Sequence, residues 1–384
     1  MMLILGVWMS ACVTPFTPKG IEVEEGTLVV EGDIVVLGDT KIYLSMLRAL
    51  DQNYDITYIS NALVWVENND GDQYHGELKK ESNGNSYFLI DTKGLGLDHQ
   101  YKLGISFNGM HFESDFLTPL PTPAIDALDY ALNESKTAVD FYVTTFGNDH
   151  DSRFFKWNFT EDWEVVSPFQ TLIYFDPVSR TYRLYPTVYS PFLYCWNQAA
   201  STTLIAKTDN LRENTVYQQR INTIENRDDR ISYLYSMELS QMSITKEAYT
   251  YWSVLKRNSD ELGGIFAPQP SELYGNIRCL SDPAVRVLGY VSAGTRFEKR
   301  IFATSQEIGI YIPPFLCPPL DMEPPQIGPP PTLLDFYNRN YRVVGMSPIE
   351  HDPEDLKEWY PRACVECTAR GTKIKPPFWP NDHF

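Results

Sequence analysis

Histidine is scarce in this chain, with six in 384 residues, at His75, His99, His111, His150, His351 and His383. A histidine-based triad or metal centre would have to be assembled from distant positions. No Gly-x-Ser-x-Gly elbow, His-Glu-x-x-His helix, Walker loop or Rossmann glycine fingerprint occurs, so the strong sequence signals of an enzyme are missing. Basic residues are few as well: 32 Lys and Arg stand against 50 Asp and Glu, a formal charge of −18. That balance argues against nucleic acid, because binding phosphates takes clustered Lys and Arg. The one short cluster, Lys373 to Lys375, reads as a solvated tail. Beyond the first residues no segment has the length and hydrophobicity of a transmembrane helix. Neither metal nor cofactor is expected. Carboxylates are plentiful, and a glycosidase-like pair is recognised by spatial separation and not by spacing, so that chemistry stays open.

What is present begins at the N-terminus. An almost uninterrupted apolar stretch from Met1 closes in Trp8-Met9-Ser10-Ala11-Cys12, the way a bacterial lipoprotein signal ends. Ser10 and Ala11 supply the small residues that signal peptidases need, and the stretch is too short to span a membrane as a mature helix. Met9 stands where Leu is more usual, and no Lys or Arg precedes the run. The expectation is removal of residues 1–11 and lipid on Cys12, with each buried CH₂ contributing about 0.8 kcal/mol to membrane anchoring. Val13 follows, where an Asp usually retains a lipoprotein at the inner membrane, so the outer membrane is favoured.

Twenty-four Tyr, 14% aromatic residues and few helical patterns predict a mainly all-β chain, since aromatic and β-branched side chains suit a pleated half-buried surface. A length of 384 residues suits two domains. After a tether over 12–26, an immunoglobulin- or fibronectin-like sandwich is expected over 27–118. Thr27 to Ile34 reads as its first strand, and Leu63 to Leu78 as a hairpin about Asn69-Asp70-Gly71, with type I′ chemistry. A calcium loop there lacks EF-hand ligand spacing. Tyr101, Leu103, Ile105 and Phe107 share one face of the clearest strand, which Asn108-Gly109 turns back. A Tyr opening a late strand is suggestive of a tyrosine corner. The proline-rich Thr118 to Pro123 marks the boundary.

A larger β-rich domain is expected over 124–310. Phe155, Trp157 and Phe159 belong to one strand, Ile231, Tyr233, Tyr235, Met237 and Leu239 to another, and a threonine-capped helix runs from about Thr245 to Asn258 with Ala248, Tyr251, Trp252 and Leu255 as its stripe. Asp149-His150-Asp151 reads as a solvated hairpin tip. Aromatic residues at strand period read as core before sugar platforms. The nine prolines between Tyr311 and Thr332 favour an extended ribbon, and they open a cysteine-containing tail over 311–384.

With Cys12 acylated, Cys195, Cys279, Cys317, Cys364 and Cys367 remain, an odd number. An exported chain then holds one or two disulfides and at least one free thiol, with connectivity not readable from sequence. Joining Cys317 to Cys364 or Cys367 would close a loop of about fifty residues, contributing about 4 kcal/mol. A zinc reading of Cys364-x-x-Cys367 would need His351 and Cys317 to complete it, and no βαβ pattern supports a redox one.

The order of several short motifs resembles a Bacteroidota lipoprotein family known as domain of unknown function 4249. It is carried by Leu28-Val29-Val30-Glu31-Gly32, Pro121 to Asp126, Phe155-Lys156-Trp157-Asn158-Phe159 with Trp163-Glu164, Cys195-Trp196, and Ala248-Tyr249 with Tyr251-Trp252. Gly263-Gly264-Ile265-Phe266, Pro268 to Pro270, Gly275-Asn276-Ile277, Val287-Leu288-Gly289-Tyr290, Lys299-Arg300-Ile301-Phe302, Cys364-x-x-Cys367 and Pro377-Phe378-Trp379 follow in order. The resemblance implies a lipid-anchored envelope protein encoded beside TonB-dependent outer-membrane receptors, with no established reaction. Three functions follow as expectations: a non-enzymatic accessory to such a receptor, displayed at the cell surface; an envelope enzyme acting on glycans or peptides through carboxylates; or an adhesive immunoglobulin-like module.

Overall fold

The computed structural model describes residues 26–47, 56–81, 84–147, 153–187, 190–201, 203–207, 215–261, 274–310, 317–320, 332–349 and 357–380. Cys12, the tether as far as residue 25, Asp149-His150-Asp151 and Gly263-Gly264 lie outside them. The fold is all-β with a few helices.

Two five-stranded sheets form the first sandwich. Leu28–Gly32, Gly38–Met46 and Ser86–Thr92 occupy the centre of one, and Leu63–Asn68, Tyr101–Phe107 and Met110–Ser114 the centre of the other. Period-2 alternation sends Val30, Ile42, Leu44 and Ile90 from one sheet and Val66, Leu103, Ile105 and Phe112 from the other into one shared core. The turns follow their residues. Asn108 (φ 49°) and Gly109 (φ 76°) both take positive φ, as a type I′ turn demands. The Asn69-Asp70-Gly71 loop departs from the type I′ expectation, because only Gly71 is left-handed (φ 92°). The Gly71 N–H donates to Asn68 O at 3.1 Å, and the Asn68 carboxamide oxygen accepts from the Asp70 and Asp72 N–H groups at 3.0 and 2.8 Å. This is a three-residue hairpin loop of the G1-bulge kind. Tyr101 hydroxyl donates to Gly96 O at 3.1 Å, the geometry of a tyrosine corner.

This sandwich is not closed within residues 27–118. Ile277–Cys279 extends one sheet beside Met110–Ser114, Val287–Leu288 runs parallel beside Leu28–Gly32, and Ala293–Gly294 pairs with Ile34–Val35. The segment 277–294, inside the range 124–310 read as the second domain, therefore completes the first. Strands of two or three residues carry too little alternation to be seen in sequence. Glycine permits the approach: a Cβ on Gly275 would lie 1.8 Å from Gly289 O, and one on Gly289 (φ 137°) 2.2 Å from Val30 O.

The second sandwich faces Ala127–Leu132, Ala138–Phe146 and Thr215–Glu225 against Tyr194–Ala200, Phe154–Val166, Leu234–Ile244 and Arg296–Thr304. Its core is aromatic, with Phe141, Phe155, Trp157 and Tyr235 almost wholly buried. Two residues placed in a strand from sequence differ: Ile231 ends a 3₁₀ turn capped by Asp228, and Tyr233 is exposed just before the strand opens at Leu234. Helix Lys246–Glu261 is capped by Thr245, whose hydroxyl accepts the Ala248 N–H at 3.2 Å. Ala248 and Tyr251 are its buried contacts, and the Tyr251 hydroxyl accepts the Gly289 N–H at 3.0 Å. Lys156 of the second sandwich pairs with Asp33 of the first, both buried, with its ammonium 4.8 Å from the Trp252 ring. The proline junction is bonded in the same way: Leu120 exchanges backbone bonds with Ala293 and Thr295, and Thr122 hydroxyl accepts the Ser243 N–H.

From residue 332 on, where the tail is described, it is folded. Helix Leu333–Asn338, opened by a Thr332/Asp335 capping box, and the pair Tyr341–Val344 with Glu358–Pro361 pack on the hairpin Ile173–Asp176 and Thr181–Leu184. Ile173, Phe175, Phe336, Val343 and Trp359 form their small core. Most of the proline run lies outside the described residues. Farther on, Trp379 packs on Trp196 and Leu234, and the Arg300 guanidinium lies 3.4 Å from the Phe378 ring centroid.

Candidate functional site

All four cysteines of the tail and its neighbours are bonded. Cys317 joins Cys364, and Cys367 joins Cys195, 172 residues earlier. The link to Cys195 depends on the tail folding back onto strand Tyr194–Ala200, which the sequence leaves open. Cys279 is a buried free thiol in the first core. The Cys-x-x-Cys motif is thus two anchors of different bridges, and among the described residues no cluster of three metal-ligating side chains occurs.

The two bridges bracket Val365 and Glu366, which form part of the wall of a cavity of about 380 Å³. The Cys367 N–H donates to Phe192 O at 2.9 Å, and the Phe169 N–H to Cys364 O at 3.1 Å, so backbone bonds hold the tetrapeptide from both sides. Tyr174, Phe175, Tyr185 and Phe192 line the same cavity. Tyr174 and Tyr185 rings lie 4.9 Å apart, and Phe192 meets Tyr185 edge-on at 6.3 Å. Tyr337 closes one side, with the Arg342 guanidinium 4.1 Å from its ring centroid. Burial pushes the Tyr185 phenol up to about 12, against the opposing effect of a Ser190 hydrogen bond, so it stays protonated at neutral pH.

The polar groups of this cradle are arranged as a triad. Glu366 accepts Nε of Arg342 at 2.6 Å on one oxygen and Nε of Arg362 at 2.5 Å on the other. Arg342 Nη1 donates to the carbonyls of Tyr337 and Tyr341, and Arg362 Nη2 to the Thr368 hydroxyl. Aromatic walls with a few fixed polar groups are the makings of a small-molecule site. None of these residues except the flanking cysteines stood out in the sequence. The signal that could have found them is the pair Val365-Glu366 inside the Cys-x-x-Cys motif, together with the density of Tyr and Phe from 174 to 192.

A larger concavity, about 650 Å³, lies where residues 35–41 of the first sandwich meet 295–298 and Thr122. It presents Asp39, Lys41, Arg296 and Glu298 with one ring, Phe297, and Asp39 is already paired with Lys93. It offers a single aromatic ring where the smaller cradle offers five, so the cradle is the better site.

Elsewhere the second sandwich places several carboxylates against arginines. Glu161 accepts from Arg230 at 3.0 Å, from the Tyr235 hydroxyl at 2.7 Å and from Asn222 at 3.0 Å, while Asp228 also holds Arg230. Burial would raise the Asp228 carboxyl, but hydrogen bonds from the Arg230 side chain and backbone outweigh it and hold it below the ordinary range. Asp162 and Glu238 share Arg300, and burial raises Asp162 despite that guanidinium. Carboxylates committed in this way have structural work to do. Of the six histidines, His75 and His111 flank the Trp65 ring, and His99 bonds Asp70 and Asp98. His150, His351 and His383 lie outside the described residues.

Comparison with known families gives one match: a model described as a domain of unknown function, DUF4249, aligns with residues 13–300. No curated protein matches the chain. The aligned range covers Tyr174 to Phe192 of the cradle and ends before Tyr337, Arg342, Arg362 and Glu366.

Proposed function

The chain belongs to the family of the domain of unknown function DUF4249, and from that premise we propose that it is a non-enzymatic binding lipoprotein, held by lipid on Cys12 in the outer membrane, that assists a TonB-dependent receptor. The observation that carries the reading is the cradle closed by two disulfides, Cys195–Cys367 and Cys317–Cys364. Disulfides form and persist in oxidising compartments, which supports export. Cross-linking the pocket wall to two separate elements also supports binding, because a preorganised site loses less entropy when it takes up a ligand. Surface display and the receptor belong to the same proposal, on the strength of the sequence resemblance.

Affinity purification from native outer membrane in mild detergent, with mass spectrometry of partners and of the N-terminal peptide, tests it. The expected result is an acylated Cys12 and a co-purifying TonB-dependent barrel. A lone chain without lipid would overturn the proposal and return the enzyme and adhesion readings to the front.

A further inference from the structure

The ionisable side chains that line the cradle are Arg342, Arg362, Glu366 and two tyrosines of its aromatic wall, Tyr174 and Tyr185, with Tyr337 at its side. Two guanidiniums and one carboxylate leave a formal charge of +1 there, in a chain whose total is −18. The side chains of Arg342 and Glu366 are 15% and 13% exposed, so their charges act in a sheltered setting where solvent screens them less. Glu366 engages both arginines through Nε. Arg342 Nη2 and Arg362 Nη1 take no part in the bonds that hold the triad. A guanidinium offers five donors in a fixed fork, and the unengaged ones suit the oxygens of a planar anion. The rings of Tyr174, Tyr185 and Tyr337 line the same cavity and give a flat apolar ring something to pack against, although Arg342 already lies on the Tyr337 ring.

We propose that the cradle takes a small organic anion built on a flat ring, an aromatic or heteroaromatic carboxylate, with its carboxylate on Arg342 and Arg362 and its ring against the tyrosines. This rests on the reading of the cradle as the ligand site and names the class of ligand it holds. Glu366 acts as the resident anion: it positions the two guanidiniums and moderates their pull on the incoming carboxylate. The volume of about 380 Å³ is large enough for a bicyclic acid.

The test is calorimetric titration of the full chain, purified in detergent with its bridges oxidised, using 2-naphthoate, its neutral amide 2-naphthamide and the cation 2-naphthylmethylammonium. The acid is expected to bind at least tenfold more tightly than the amide, with the cation weakest. Glu366→Gln should tighten the acid several-fold by removing the competing charge, and Arg342→Gln or Arg362→Gln should weaken it about tenfold. The comparison of the three probes on the unmodified protein needs no variant to fold. Equal affinity for acid and amide, or preference for the cation, overturns the anion class while leaving the cradle as a site. Binding of none of the three overturns the cradle itself, and the membrane purification above is independent of either result.

Discussion

Single side chains set much of the local chemistry. Tyr251 is the clearest, because its phenol is buried where helix Lys246–Glu261 meets the returning segment and accepts the Gly289 N–H. Burial pushes it up to about 12 from 10.0, against the small opposing effect of that hydrogen bond, and Tyr185 is raised to the same value. The folded chain thus holds these protons more tightly than the unfolded one. The associated stability is complete below about pH 10, the unfolded value, and is lost as pH rises through the folded value near 12. Urea midpoints should therefore fall between pH 10 and 12, and Tyr251→Phe should lose less over that interval than the parent chain. Parallel falls in both proteins would show that Tyr251 does not titrate as argued.

At the scale of elements, the tail is positioned by what it is tied to. The short helix Arg362–Val365 and the 3₁₀ turn Cys367–Ala369 are too brief to persist alone, since a helix of one turn cannot repay its nucleation. Cys195–Cys367 ties them to strand Tyr194–Ala200, and the separation of 172 residues is large enough for the loop-closure argument to favour a substantial effect. Replacing both cysteines by serine should cost about 2–5 kcal/mol in denaturant unfolding. It should also abolish the difference in stability between oxidised and reduced protein that this bridge supplies. An unchanged midpoint would mean that this bridge adds nothing to what the Cys317–Cys364 bridge, backbone bonds and packing already supply. The type I′ turn at Asn108-Gly109 and the Thr245 cap behave as their residues dictate, because turn and cap chemistry is local, whereas the hairpin at Asn69-Asp70-Gly71 takes a three-residue loop in place of a type I′ turn.

The molecule as a whole is interlocked, since one chain segment, 277–294, leaves the second sandwich to finish the first. Asp33 and Lys156 meet across that junction, with side chains 5% and 8% exposed. Removing one partner strands the other charge in a place where water cannot solvate it. Lys156→Met is expected to cost about 3–5 kcal/mol, and the double change Asp33→Asn with Lys156→Met should recover a large part of that loss. Equilibrium denaturation of the two variants decides the matter, and a double variant no more stable than the single one would refute the pairing argument.

Composition and alternation by themselves determined that the chain is mainly β. They located the strand from Tyr101 to Phe107, the core stripe at Phe155, Trp157 and Phe159, and the helix behind Thr245, because period and capping are properties of neighbouring residues. The same reading offers Cys317 as a partner of the Cys-x-x-Cys motif only as one option, and the extended ribbon it gives Tyr311 to Thr332 falls mostly outside the described residues. Tertiary structure alone decided that Cys367 belongs to Cys195, that segments of two or three residues near 277–294 close a sandwich begun 250 residues earlier, and that Tyr174, Tyr185, Arg342, Arg362 and Glu366 share one cavity. The physical reason is range. Each of these contacts joins residues far apart in the chain through elements too short to leave a periodic trace, and their partners exist only once both sandwiches have formed.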